Sequence, residues 1–143
     1  MTDDLHALGE DLITTSARVV RWTPKTSSSS SLSLAAARIL ARLNDNGPTR
    51  ISELALAERC SQPTITNHVK RLEATGLVER ESDPRDARAW MIALTDKGLE
   101  ELGAMRSALG DGLEPYLAKL SRRELKALRD GIDAMRRLMA TEV

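Results

Sequence analysis

Along most of the chain, apolar residues return every three or four positions, the spacing of a helix with one buried face. Residues 3 to 22 carry Leu5, Leu8, Leu12, Ile13, Val19, Val20 and Trp22 at that interval. Asp3 and Asp4 open the stretch and Arg18 and Arg21 close it, matching the sign of the helix dipole at each end. The serine run Ser27 to Ser31 predicts a flexible connection. LAAARILARL, 34 to 43, predicts a compact helix capped by Ser33 and stopped by Asn46-Gly47-Pro48. Ser52 is expected to open a short helix through ISELALAER, broken at Cys60 and Ser61. A second short helix follows from Gln62 to Ala74, with Ser61 as N-cap, Pro63 tolerated in the first turn and Gly76 closing it.

The pattern then changes. LVERE (77 to 81) and AWMIAL (89 to 94) predict two strands, joined by the turn-rich SDPRDAR with Pro84 preset for a tight bend. Trp90 shares strand phase with Ile92 and Leu94 and is expected to pack. Thr95 caps a long helix bearing Leu99, Leu102, Met105, Leu109, Leu113, Tyr116, Leu117 and Leu120. Gly110, Gly112 and Pro115 in its middle predict a kink or break. The last helix, from Ser121, carries Leu125, Leu128, Ile132, Met135 and Met139 at 3-4-3-4 spacing. That seam serves either the chain's own core or a partner helix. The terminal helices exceed what one small domain needs to cover, which favours a dimer seam.

The chain has 143 residues, 41% hydrophobic and 29% charged, which suits one soluble domain with a real core. Aromatics are 2% with no Phe, so a core of Leu, Ala, Val, Ile and Met is expected, mostly in helices. Lys and Arg equal Asp and Glu at 21 each. Locally the balance fails: between Glu58 and Glu73 there is no acid, whereas Arg59, Lys70 and Arg71 add three positive charges. A neutral chain can hold a basic surface for a polyanion. A single cysteine, Cys60, excludes an internal disulfide or a Cys-based zinc site and fits a reducing cytosol. The acidic start, MTDDLHALGEDLITT, lacks the form of a signal peptide, and no apolar stretch nears the length of a membrane span. A cytoplasmic protein is expected.

Helix 62–74 is the most informative segment. Ile65, Val69 and Leu72 share one face, with His68 at its edge. Pro63, Thr66, Asn67, Lys70, Arg71 and Ala74 share the other. Two short helices joined by a tight turn, the second with a polar outer face, describe a helix-turn-helix. Asn and Gln can pair with adenine and Arg with guanine, and Thr offers hydroxyl and methyl contacts. A solvated face would show the same residues, but here a hairpin follows with Arg85 and Arg88 at its tip, the order of a winged helix-turn-helix. The wing arginines would lie along the backbone or in the minor groove.

Residues 51 to 98 resemble the core of a MarR-type (multiple antibiotic resistance regulator) transcription factor. The resemblance rests on SQPT-x-T-x-x-V-x-R-L-E, GLVER, DPRDAR and LTDKG, in that order. It implies a fold that is mainly α with a small β-hairpin: one domain over 1–143, with a winged helix-turn-helix core at about 34–98. N- and C-terminal dimerisation helices would flank it at about 3–24 and 96–141. It implies DNA contacts from Ser61, Gln62, Pro63, Thr64, Thr66, Asn67, Lys70, Arg71, Arg85 and Arg88, with Asp86 fixing an arginine by a charge-assisted bond. Asn67 stands where relatives often carry Arg, so no operator sequence carries over. The dimer interface would use Leu5, Leu8, Leu12, Leu125, Leu128, Ile132 and Met135. The implied partners are double-stranded DNA with a pseudo-palindromic operator, a second copy of the chain, and a small aromatic or lipophilic effector that releases a repressor. No cofactor or membrane is implied.

Other residues add little. Cys60 reads as a small buried residue filling the turn, with redox sensing as the alternative. His6 and His68 lack companions for a metal site. Trp22 reads as core or interface filling, or as the border of an effector pocket. No phosphate loop, metal-ligand cluster or nucleophile with its base is present, so an enzyme is not expected. A single-stranded nucleic-acid binder would want aromatic platforms that this chain lacks. A helical dimerisation or scaffold module without DNA binding is the alternative from another class.

Overall fold

Ser33 starts the second helix as its position suggests: its Oγ accepts the Ala36 N–H at 3.1 Å. The computed structural model describes residues 2–22 and 32–140; the serine run 27–31 lies outside them, as do residues 23, 24 and 141 of the expected dimerisation helices. The chain divides into two compact units, Ser27–Ser107 and Met1–Thr26 with Ala108–Val143.

In the first unit, α2 spans Leu34–Asn46 and closes at Gly47, whose φ of +76° suits glycine. β1 is only Thr49–Arg50. Helix α3, Ile51–Ala57, follows it directly, with Arg50 rather than Ser52 at the N-cap. The start moves because Arg50 is still extended at the end of β1, and Glu53 Oε2 accepts its N–H at 3.4 Å. The turn to α4 passes through Arg59 at φ +52°, a left-handed position that arginine seldom takes. Helix α4, Gln62–Ala74, has the expected limits. Ser61 accepts the Thr64 N–H at 3.3 Å, and Gly76 at φ +74° turns the chain out of the helix.

Strands β2 (Val78–Asp83) and β3 (Asp86–Leu94) are longer than expected, leaving Pro84 and Arg85 as the turn. β1 adds a third strand, antiparallel to β3 through Thr49↔Ile92 and Arg50↔Met91, in the order β1-β3-β2. The core joins Ile39, Leu40 and Leu43 of α2, Leu54 of α3, and Ile65, Val69 and Leu72 of α4 to Val78, Ile92 and Leu102. Trp90 does not pack there. It is 54% exposed while Ile92 is fully buried, because two residues nearer the tip the hairpin has passed the end of the core.

Helix α5, Asp96–Leu117, is capped by Thr95, whose Oγ1 accepts the Gly98 N–H at 3.0 Å. No break occurs at Gly110 or Gly112, and Pro115 falls in the last turn, where few later carbonyl-to-amide bonds are at stake. In the second unit, α1 spans Thr2–Trp22 and α6 spans Arg122–Ala140. The Trp22 and Tyr116 rings meet edge to face at 4.9 Å. Ser121 and Glu124 cap α6 reciprocally: Glu124 Oε2 accepts the Ser121 N–H at 2.8 Å and Ser121 Oγ accepts the Glu124 N–H at 3.2 Å. No residue of α6 is buried.

Candidate nucleic-acid interface

The inner face of α4 is held by Ile65, Val69 and Leu72, all at most 4% exposed. That seating turns Gln62, Pro63, Thr64, Asn67, Lys70, Arg71 and Ala74 to the surface, leaves Thr66 and His68 half-buried, and keeps the capping Ser61 exposed. Ser61 Oγ and Thr64 Oγ1 also share a hydrogen bond of 2.8 Å, so these two hydroxyls order the helix start before anything docks. The other outward side chains form a donor and acceptor set one helix face wide.

The acids bordering this face are both engaged by arginines. The Glu58 side chain, 7% exposed, pairs with Arg38 at 3.0 Å and Arg42 at 2.9 Å. Glu73 accepts Arg80 Nε of β2 at 2.8 Å, tying the end of α4 to the hairpin. The local positive excess read from the sequence is therefore uncancelled at its edges. Sequence reasoning missed these pairs, since Glu58 and its partner Arg42 are 16 residues apart.

At the hairpin tip, Arg85 and Arg88 are exposed. Asp83 is 4% exposed; its Oδ1 accepts the Arg85 N–H at 2.8 Å and its Oδ2 accepts Arg50 Nε at 2.6 Å. A second Arg50 nitrogen also contacts Asp83 Oδ2. The Arg85 N–H bond, then the Arg50 bond, hold the Asp83 carboxyl below the usual range, and Asp83 in turn raises Arg50. Asp86 Oδ1 accepts the Arg88 main-chain N–H at 3.0 Å; the carboxylate on a guanidinium here is Asp83. The one sequence signal for Asp83 is its place before Pro84, where aspartate often bonds the backbone two residues on.

Cys60 is exposed rather than buried, its thiol donating to the Glu58 carbonyl at 3.3 Å; the left-handed turn at Arg59 leaves it on the surface. His6 pairs with Glu10 at 3.4 Å on α1, and among the described residues no group of three His, Cys, Asp or Glu is placed to hold a metal ion. No described helix is long and apolar enough to cross a membrane. Of the expected dimer residues, Leu5, Leu8, Leu128 and Ile132 are exposed and Leu12, Leu125 and Met135 half-buried. Trp22 is 52% exposed.

Two short helices with a left-handed turn, then a hairpin tipped with arginine, define a winged helix-turn-helix DNA-binding protein. The MarR family pattern matches residues 32–90. An HTH-type transcriptional regulator of Mycobacterium tuberculosis (strain CDC 1551 / Oshkosh) is 31% identical over 135 residues, 94% of each chain. The HTH-type transcriptional repressor NicR of Pseudomonas putida is 41% identical over 66 residues, 46% of this chain and 42% of NicR. The fold is shared with the crystal structure of wild-type MarR (apo form) from E. coli, at a TM-score of 0.71, 20% identity, and coverage of 90% of this chain and 96% of that one. This chain belongs to the MarR family of transcriptional regulators, which bind DNA and are not enzymes.

Proposed function

We propose that the chain is a homodimeric, cytoplasmic repressor that reads a pseudo-palindromic operator with α4 in the major groove and the β2–β3 wing in the minor groove. The observation that carries this reading is the outward polar face of α4 with both bordering acids engaged, beside a hairpin tip that presents Arg85 and Arg88. In this reading Thr66 and Asn67 meet base edges, with Gln62 and Thr64 at the helix start beside Ser61 and Pro63. Lys70 and Arg71 engage phosphates, and Asp86 orders the wing main chain at Arg88. NicR is named a repressor, which favours repression here.

The dimer is supported by α6, a helix whose 3-4-3-4 apolar positions are half-buried at Leu125 and Met135, exposed at Leu128, Ile132 and Met139, and fully buried nowhere. Leu5, Leu8, Leu12, Leu125, Leu128, Ile132 and Met135 would be covered by a second copy. A small aromatic or lipophilic effector is assigned to a cleft of about 360 Å³ beside α4, with Leu72 and Leu77 as apolar wall and His68, Arg71 and Lys97 as polar rim. Selection from a random duplex pool tests the whole reading. The enriched sequence should be pseudo-palindromic, with half-sites about 10 bp apart. A pool with no enriched sequence would favour a scaffold role instead.

A further inference from the structure

We infer that Asp83 and Arg50 are positioning residues of the wing: they hold the main chain at Arg85 so that its guanidinium is presented to DNA, without touching DNA themselves. The inference rests on the proposed contact between Arg85 and DNA. Among the described residues Asp83 is the one charged residue buried as a whole, main chain and side chain together, at 4% exposure. A carboxylate that deep is costly unless both oxygens are satisfied, and here each has a task. Oδ1 takes the Arg85 N–H at 2.8 Å and Oδ2 takes Arg50 Nε at 2.6 Å.

The strand ladder does not hold the tip by itself. From Val78↔Leu94 to Ser82↔Trp90 the register is regular, and between Ser82 and Asp83 it slips. Pro84 supplies no N–H, so the Arg85 amide is the first donor of the turn, and Asp83 captures it. Arg50 gives that carboxylate a fixed point: it pairs with Met91 in the sheet and caps α3. One chain of contacts thus runs from the helix-turn-helix through Arg50 and Asp83 to the amide of Arg85. A guanidinium on a turn already ordered loses less freedom on binding than one on a loose turn.

The test compares operator affinity for the parent, Arg85→Ala, Asp83→Ala and the double variant, with exchange of the Arg85 amide followed by NMR. Asp83→Ala should weaken binding about fivefold, roughly the cost of ordering one long side chain at the interface. It should also lose protection at the Arg85 amide while Val69 stays protected. In the Arg85→Ala background the same change should have no further effect. If Asp83→Ala does not fold, Asp83→Asn and Arg50→Lys carry the same comparison, each keeping part of the bonding. An equal loss in both backgrounds, or none in either, would overturn the positioning role. Arg85→Ala binding as tightly as the parent would instead overturn the DNA contact on which it rests.

Discussion

Gly98, in the first turn of α5, lies so close to the Leu77 carbonyl that a Cβ added there would stand 2.1 Å from that oxygen and 2.7 Å from Leu94 Cδ1. Leu77 follows the closing turn of α4, so this contact joins α4 to α5 through main chain. Thr95 Oγ1 and Lys97 Nζ reinforce it, donating to Gly76 O at 2.6 Å and Thr75 O at 2.8 Å.

Helix propensity alone would make Gly98→Ala stabilising by about 1 kcal/mol. A backbone oxygen cannot rotate away, and overpacking of this kind costs about 1–3 kcal/mol, so the net effect should be destabilising. At Gly110 nothing lies within 4 Å of an added Cβ, so Gly110→Ala should stabilise by about 0.4–1 kcal/mol. Thermal unfolding of the two variants should therefore shift in opposite directions. A raised Tm for Gly98→Ala would show that the joint yields.

On α4 the work of recognition should divide by residue. Asn67→Ala should relax preference at one base pair per half-site, at a cost of about 1–3 kcal/mol. Lys70→Ala should weaken binding to every sequence and reduce the salt slope by about one. A repeat of the selection with Asn67→Ala that returns the parent operator would remove its base-reading role.

Dimerisation should fail where α6 is made polar. Replacing Leu128 and Ile132 by Asp should give monomers by sedimentation and weaken operator binding, since two linked half-site contacts become one. The fold of Ser27–Ser107 should be unaffected, because neither residue lies in that unit. A parent chain that sediments as a stable monomer at micromolar concentration would end the dimer reading.

Acid should loosen the wing and the start of α6. The Asp83 carboxyl is lowered by the Arg85 N–H and by Arg50, and Glu124 by the Ser121 main-chain and side-chain bonds. A lowered carboxyl stabilises the fold fully above the unfolded value, about 3.9–4.3, and loses that contribution as pH falls through its folded value. Unfolding midpoints should thus decline below about pH 4, less steeply in Glu124→Gln and Asp83→Asn. Unchanged acid limbs in both variants would contradict this.

The limits of α4 were legible in the sequence because Ser61, Pro63 and Gly76 act locally, and its two faces followed from periodicity. The strand β1 was not, since two residues are too few to show alternation. Phase told which side of β3 Trp90 faces, but not where the core stops along the strand. Cys60 misled for a related reason: small size suggests burial, while a left-handed arginine before it carries no compositional signal. The Arg50–Asp83 pair spans 33 residues and exists only once β3 has aligned β1 with the hairpin tip.

Hydroxyl-radical footprinting of the selected operator, with the parent and with Arg85→Ala, tests the two-element interface most directly, because that reagent reads the minor groove. The parent should protect the minor groove outside the two major-groove half-sites, and Arg85→Ala should lose those outer protections while keeping the spacing between half-sites. Outer protections that are absent in the parent, or that persist unchanged in Arg85→Ala, would contradict the account of the wing as a DNA-reading element.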